Sequence, residues 1–230
     1  MISLRFVPPQ SPRAVNKVDL LDQLRTERLI GLVSADYGER LIDCARALSE
    51  GNIHFLEIAL TTPGILATLQ TAAAALPDFR FGLGTVLDVD TARRGILAGA
   101  SFIVTPAPRP EVITLCRRYH VPVISGAFTR ADLECAHQAG ADAVKVFPGE
   151  QFGPAYINAL RRDYPAVPLI PIGGVTSSTI AEFIRAGATA TIAGNSLITE
   201  TDMVERNWSA ITIRAGQFAQ AIASAVVSSS

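Results

Sequence analysis

Lysine is almost missing from this chain: of its 20 basic residues in 230, only Lys17 and Lys145 are lysines and the rest are arginines. Tryptophan occurs once, methionine twice, and cysteine and histidine three times each. Cys44, Cys116 and Cys135 are odd in number and far apart, which argues against a disulfide framework and for reduced thiols in a cytoplasmic protein. His54 opens an apolar run, His120 precedes a later one and His137 lies in a helical stretch, so they do not converge on a metal. No metal and no cofactor is expected. Neither sign of charge dominates, with 21 acidic residues giving a net charge of −1, so the positive field that nucleic acid or an anionic membrane surface requires is absent. No uninterrupted run reaches the roughly 18 apolar residues of a membrane span, and residues 1–13 contain no apolar h-region of a secretory signal. Nucleophile-elbow, P-loop and dinucleotide-binding signatures are also missing.

What is present is apolar and regularly spaced. Hydrophobic residues make up 49% of the chain, enough for a large core, and 230 residues is a normal size for one α/β barrel. Apolar, β-branched runs recur at Leu29–Ser34, Ile53–Leu60, Phe81–Thr85, Phe102–Thr105, Val121–Ser125, Ala143–Phe147, Leu169–Ile172 and Thr189–Ala193. Each is followed by a polar turn and a helical pattern, as in Tyr37–Glu50, Pro63–Leu76 and Thr176–Ala186. The runs are continuous rather than alternating, which fits parallel strands covered on both faces. Gly51, Gly99, Gly140 and Gly187 read as helix stops. Eight strands in this alternation predict a (β/α)8 TIM barrel, with an open α/β sheet as the alternative. The domain reading is an N-terminal extension and short helix over 1–27, which plugs or flanks the barrel bottom, and a barrel over 28–227 that ends in a long helix, Trp208–Val227.

In such a barrel chemistry sits at the C-terminal ends of the strands. Strand six places Lys145 inside an apolar run in a chain that otherwise uses arginine. An ammonium group taken out of water favours release of its proton, and a neutral amine can attack a carbonyl, so a Schiff-base lysine is one reading and a buried ion pair the other. Glu57 sits in a similar run on strand two, where a carboxylate needs either a partner or a proton-transfer role. Strand three ends Gly82-Leu83-Gly84-Thr85, offering a hydroxyl beside closely approachable backbone. Strands seven and eight end Ile172-Gly173-Gly174-Val175 and Ala193-Gly194-Asn195-Ser196. Glycine-bearing turns at these two places suit a phosphate held by backbone N–H groups, or tight turns alone.

The ordered set Leu56-Glu57-Ile58, Gly82-Leu83-Gly84-Thr85-Val86, Val144-Lys145-Val146-Phe147-Pro148-Gly149-Glu150, Gly153-Pro154 and Ile172-Gly173-Gly174-Val175 resembles the class I 2-keto-3-deoxy-6-phosphogluconate (KDPG) and 4-hydroxy-2-oxoglutarate (KHG) aldolases. The resemblance runs from about Leu29 to Leu197. It implies a homotrimeric, metal-independent barrel that cleaves a keto acid of this kind to pyruvate and an aldehyde. It would make Lys145 the Schiff-base residue and Glu57 the proton shuttle. Thr85 would hold the pyruvyl carboxylate or a neighbouring hydroxyl, Pro106 and Phe147 would shape that pocket, and Gly173, Gly174, Gly194, Asn195 and Ser196 would form the cradle of the distal phosphate.

The chain departs from the family at the arginine that anchors an anionic ligand group, where it has Ser34 and Thr61. Arg109 and Arg130 are the basic candidates to take over. Thr61 is retained as a contact on the ligand side, as is Ile172, where phosphogluconate-type members have Thr and galactonate-type members an apolar residue. Two alternatives follow: oxaloacetate decarboxylation by the same lysine, and a phosphosugar-binding barrel acting as an isomerase or sensor.

Overall fold

The structure is a computed structural model that describes residues 17–35, 37–61 and 64–227. Residues 1–16, most of the proposed N-terminal extension, lie outside the described residues. Eight strands pair in parallel in chain order: β1 (Leu29–Val33), β2 (Phe55–Ala59), β3 (Arg80–Gly84), β4 (Phe102–Thr105), β5 (Val123–Ala127), β6 (Ala143–Val146), β7 (Leu169–Pro171) and β8 (Thr191–Ala193). β8 pairs back onto β1, and a parallel bridge between Ile172 and Ile192 closes the ring. The open-sheet alternative is therefore set aside. Helix α1 (Lys17–Glu27) precedes β1, and α2 (Arg40–Glu50), α3 (Ile65–Ala75), α4 (Val89–Leu97), α5 (Pro110–Arg118), α6 (Arg130–Ala139), α7 (Gly149–Asp163) and α8 (Ile180–Arg185) alternate with the strands. α9 (Glu200–Glu205) and α10 (Trp208–Val227) complete the chain.

Continuous apolar strands are explained by two separate cores. Outward residues such as Leu56, Ile58, Leu83, Ile103, Val123 and Val144 pack under the helices. Inward residues Ile30, Phe55, Phe102, Val104, Ile124, Ala143, Ile170 and Ile192 fill the barrel, and Leu20 and Leu24 of α1 join them from below. Each Val, Leu, Ile or Phe among them contributes about 1.5–3 kcal/mol on burial. Helix α1 is also tied by polar contacts. Lys17 meets Asp142 at 2.6 Å, Glu27 accepts from the His54 backbone N–H at 2.8 Å, and Arg80 Nε donates to Gln23 at 3.0 Å. The long α10 buries Ile211, Ala215, Phe218 and Ile222, and its Thr212 hydroxyl donates to the Ala47 carbonyl at the end of α2.

Three helices end in the same Ala-Gly-Ala step. In each the glycine takes positive φ, and the following alanine N–H reaches back five residues: Ala100 to Gly95, Ala141 to Ala136 and Ala188 to Phe183. This is the Schellman closure, which satisfies the last helix carbonyls. Gly51 breaks the expected pattern. Its φ is −90°, and the left-handed turn falls on Asn52 at +66°. Gly51 is small because a Cβ there would collide with Ala215 of α10.

Other boundaries move for local reasons. β5 begins at Val123, two residues later than predicted, because Val121 closes helix α5 through its N–H to Cys116 and Pro122 has no N–H to give. Its end extends through Gly126 and Ala127, which pair with Lys145 and Val146. α2 starts at Arg40 rather than Tyr37, and α8 at Ile180 rather than Thr176, because the preceding residues form hydrogen-bonded turns. α7 is interrupted at Gly153, where φ of 65° and ψ of 179° leave the helix before Pro154.

Candidate active site

Strand alternation brings the two unusual side chains together. Along β2, Phe55 and Glu57 face the axis while Leu56 and Ile58 face the helices; along β6, Ala143 and Lys145 share the inner face. Lys145 Nζ lies 3.7 Å from Glu57 Oε1, with the two side chains 12% and 2% exposed. That separation is longer than a normal hydrogen bond. The other oxygen, Oε2, is buried with no partner among the described residues. Burial pushes the Glu57 carboxyl above the usual glutamate range, while the nearby Lys145 pulls it partly back. An unpaired buried carboxylate oxygen costs about 1–3 kcal/mol or more, so the pair is not built for stability alone.

Glycine makes room for it. A Cβ on Gly84 would run into the Glu57 carboxylate, and one on Gly126 would strike the Pro106 carbonyl. Gly126 is the register partner of Lys145. At the bottom of the barrel the inner face is filled by Phe55, Phe102, Ile30 and Ile124, whereas at this level glycines surround a charged pair. Thr85, immediately after Gly84, has φ of +59°. A β-branched residue in that region stores about 1–3 kcal/mol of strain, which the surrounding fold must hold.

The remaining sequence-predicted residues all fall at the same end. Pro106 follows β4, and Phe147 follows Lys145 by two residues and is exposed. Ile172 is half-buried above the inner core and bridges to Ile192. Gly173 and Gly174 turn at φ of +98° and +67°. The loop Gly194-Asn195-Ser196 is joined to them by the Ser196 hydroxyl, which donates to the Val175 carbonyl at 2.6 Å. Arg214 supports that loop from below, donating to the Leu197 carbonyl and pairing with Asp202.

At the two positions lacking arginine, the Thr61 hydroxyl donates to the Ser34 carbonyl at 2.5 Å, stapling the loops after β1 and β2. Of the candidate replacements, Arg130 is engaged elsewhere, pairing with Asp163 at 2.5 Å, while Arg109 makes only a long 3.4 Å contact to the carbonyl of its neighbour Pro108. Among the described residues, no three His, Cys, Asp or Glu side chains cluster as a metal site would need. Sequence reasoning passed over Gly126, whose clue was a glycine within an apolar run, and the aromatic group formed by Phe128, Phe152 and Tyr156, which only the fold assembles.

Chemically, this is an amine and a carboxyl with a raised proton affinity, facing each other with little exposure to solvent. Such a pair can pass a proton from nitrogen to oxygen and leave a neutral nucleophile.

Comparison with known proteins identifies the family. The family model for KDPG and KHG aldolase matches residues 20–213. A 2-dehydro-3-deoxy-phosphogluconate aldolase of Treponema pallidum is 29% identical over 206 residues, covering 89% of this chain and 98% of that protein. The 2-dehydro-3-deoxy-6-phosphogalactonate aldolase of Escherichia coli K12 is 33% identical over 162 residues, covering 70% of this chain and 79% of its own length. Among solved structures, the KDPG aldolase of Legionella pneumophila, with pyruvate captured as a covalent carbinolamine, superposes with a TM-score of 0.78 at 25% identity, covering 85% of this chain and 96% of that one.

Proposed function

The chain belongs to the KDPG and KHG aldolase family, and from that premise we propose that it is a Schiff-base aldolase in which Lys145 is the nucleophile and Glu57 moves the protons. The observation that carries this assignment is the buried Lys145–Glu57 pair, 3.7 Å apart, with one carboxylate oxygen left without a partner. A non-catalytic sensor on the same barrel would have no use for it.

The substrate class is a 4-hydroxy-2-oxo acid, with 2-keto-3-deoxy-6-phosphogluconate or its galactonate epimer as the leading candidates. Glu57 takes a proton from the Lys145 ammonium, and the neutral amine adds to the ketone carbon. Loss of water gives a protonated imine. Removal of the C4 hydroxyl proton then lets the C3–C4 bond break, with its electron pair accepted by the imine as an enamine and the C4 fragment leaving as an aldehyde. Glu57 returns a proton to C3, and hydrolysis frees pyruvate. The raised proton affinity of Glu57 suits a group that must take and give protons near neutral pH. Thr85 faces the pyruvyl end, with Pro106 and Phe147 beside it. The paired turns at Gly173–Gly174 and Gly194–Ser196 offer backbone N–H groups to a distal phosphate. The homotrimer expected from the family resemblance belongs to this proposal, and sedimentation checks it.

The direct test compares pyruvate release from the two phosphorylated sugar acids, 4-hydroxy-2-oxoglutarate and oxaloacetate. Pyruvate matched by equimolar aldehyde from one of the first three supports the assignment. Turnover of oxaloacetate alone overturns it in favour of decarboxylation.

A further inference from the structure

The rim beside Lys145 is aromatic rather than cationic. Phe128 lies two residues past Gly126, the register partner of Lys145, and Phe147 lies two residues past Lys145 itself. Both lie immediately past the C-terminal ends of β5 and β6, at the end of the barrel where Lys145 sits. They are 56% and 55% exposed, whereas every other described phenylalanine is buried or half-buried. Phe152 meets Phe128 edge-on with centroids 5.6 Å apart, and Tyr156 continues the stack at 4.8 Å. The break in α7 at Gly153 is what ends the short first turn at Phe152.

The shelf is held in place by a carboxylate rather than by a cation. The Phe128 N–H donates to Asp132 at 3.1 Å, and the same carboxylate accepts from the Thr129 N–H and hydroxyl in a capping box. Arg130 is turned away into its pair with Asp163. A single exposed aromatic is ordinary, but a fixed cluster at a catalytic mouth is a surface kept for contact.

Resting on the Schiff-base assignment above, we propose that this shelf is a second aldehyde subsite, and that the enzyme also makes and cleaves 4-hydroxy-2-oxo acids whose C4 substituent is aromatic or bulky and apolar. In the synthetic direction C3 of the Lys145-bound pyruvate enamine attacks the aldehyde carbon. The carbonyl π pair becomes an alkoxide that takes one proton, and water hydrolyses the resulting imine to release product and free amine. The aldehyde substituent lies against Phe128 and Phe152, on the opposite side of Lys145 from the glycine turns that would take a phosphate. Ring-on-ring contact beside an ionised carboxylate, with Arg130 held in its pair with Asp163, favours this chemistry over an anionic one.

The test is aldol addition of pyruvate to benzaldehyde and to glycolaldehyde, in the wild type and in Phe128→Ala, with sedimentation and borohydride trapping of pyruvate run alongside. Phe128 is exposed, so its truncation leaves the core intact. The expected result is that F128A lowers kcat/KM for benzaldehyde about tenfold more than for glycolaldehyde, the scale on which apolar pockets discriminate. Equal loss for both aldehydes, no benzaldehyde turnover in the wild type, or a changed oligomeric state in F128A overturns the subsite. A wild type that traps no pyruvate on Lys145 overturns the Schiff-base assignment and the subsite with it.

Discussion

The two lysines of this chain mark opposite ends of β6, Lys17 reaching its lower end from α1 and Lys145 lying within it, each facing a carboxylate, in opposite conditions. Below β6, Lys17 meets Asp142 at 2.6 Å, and the second Asp142 oxygen accepts the Val123 N–H at 2.9 Å, so that carboxylate is fully used. Within β6, Lys145 stands 3.7 Å from Glu57, deeper in the protein, with one carboxylate oxygen unpartnered. The lower pair clamps α1 under the barrel. The upper pair is looser and leaves one carboxylate oxygen unpartnered, and a loosely paired buried amine and acid can do chemistry that a closed salt bridge cannot.

Substitutions at the two ends should therefore separate activity from stability. Lys145→Ala is expected to lower kcat for aldol cleavage by about 10⁴ or more, the scale of losing a covalent nucleophile, whereas Lys17→Ala stays within about twofold of wild type. Steady-state rates of the two variants check this, and a similar loss from both would erase the distinction. Glu57→Gln should lower kcat by about 10²–10⁴ while still trapping some pyruvate, because the glutamine keeps the shape and loses the proton transfer.

Glu57 also sets a pH dependence. Its folded pKa is raised, so its contribution to stability is complete below the unfolded glutamate value and is lost as pH rises through the higher folded value. Denaturant titrations across that window should show this slope in the wild type and not in Glu57→Gln. A slope shared by both proteins would place the titration elsewhere.

At the lower end the effect is thermal. Asp142→Ala strands the Val123 N–H and Lys17, costing about 1–3 kcal/mol and lowering Tm by a few degrees to about 10 °C, with kcat little changed. Calorimetry and the aldolase assay read the two quantities separately.

Much of the upper site was legible because it violates local expectation. A lysine and a glutamate inside apolar strands stand out in a single sequence, and the Ala-Gly-Ala steps mark helix ends by chemistry confined to neighbouring residues. What sequence could not reveal depends on distant packing. The closeness of α10 makes Gly51 a contact glycine and sends the turn to Asn52. The shift of β5 follows from the closure of α5 and the pairing of Gly126 with Lys145. The Thr61–Ser34 staple, the capture of Arg130 by Asp163 and the aromatic shelf each join loops or helices far apart in the chain. The same holds for the lower pair: nothing near Lys17 in sequence announces Asp142.

A chain with only two lysines permits an unusually clean test of the difference between them. Incubating the wild type with pyruvate, reducing with borohydride and mapping the adduct by peptide mass spectrometry reads the reactive amine directly. The account predicts one pyruvyl adduct, on the peptide carrying Lys145, and none on Lys17. An adduct on Lys17, or no lysine adduct at saturating pyruvate, would contradict it.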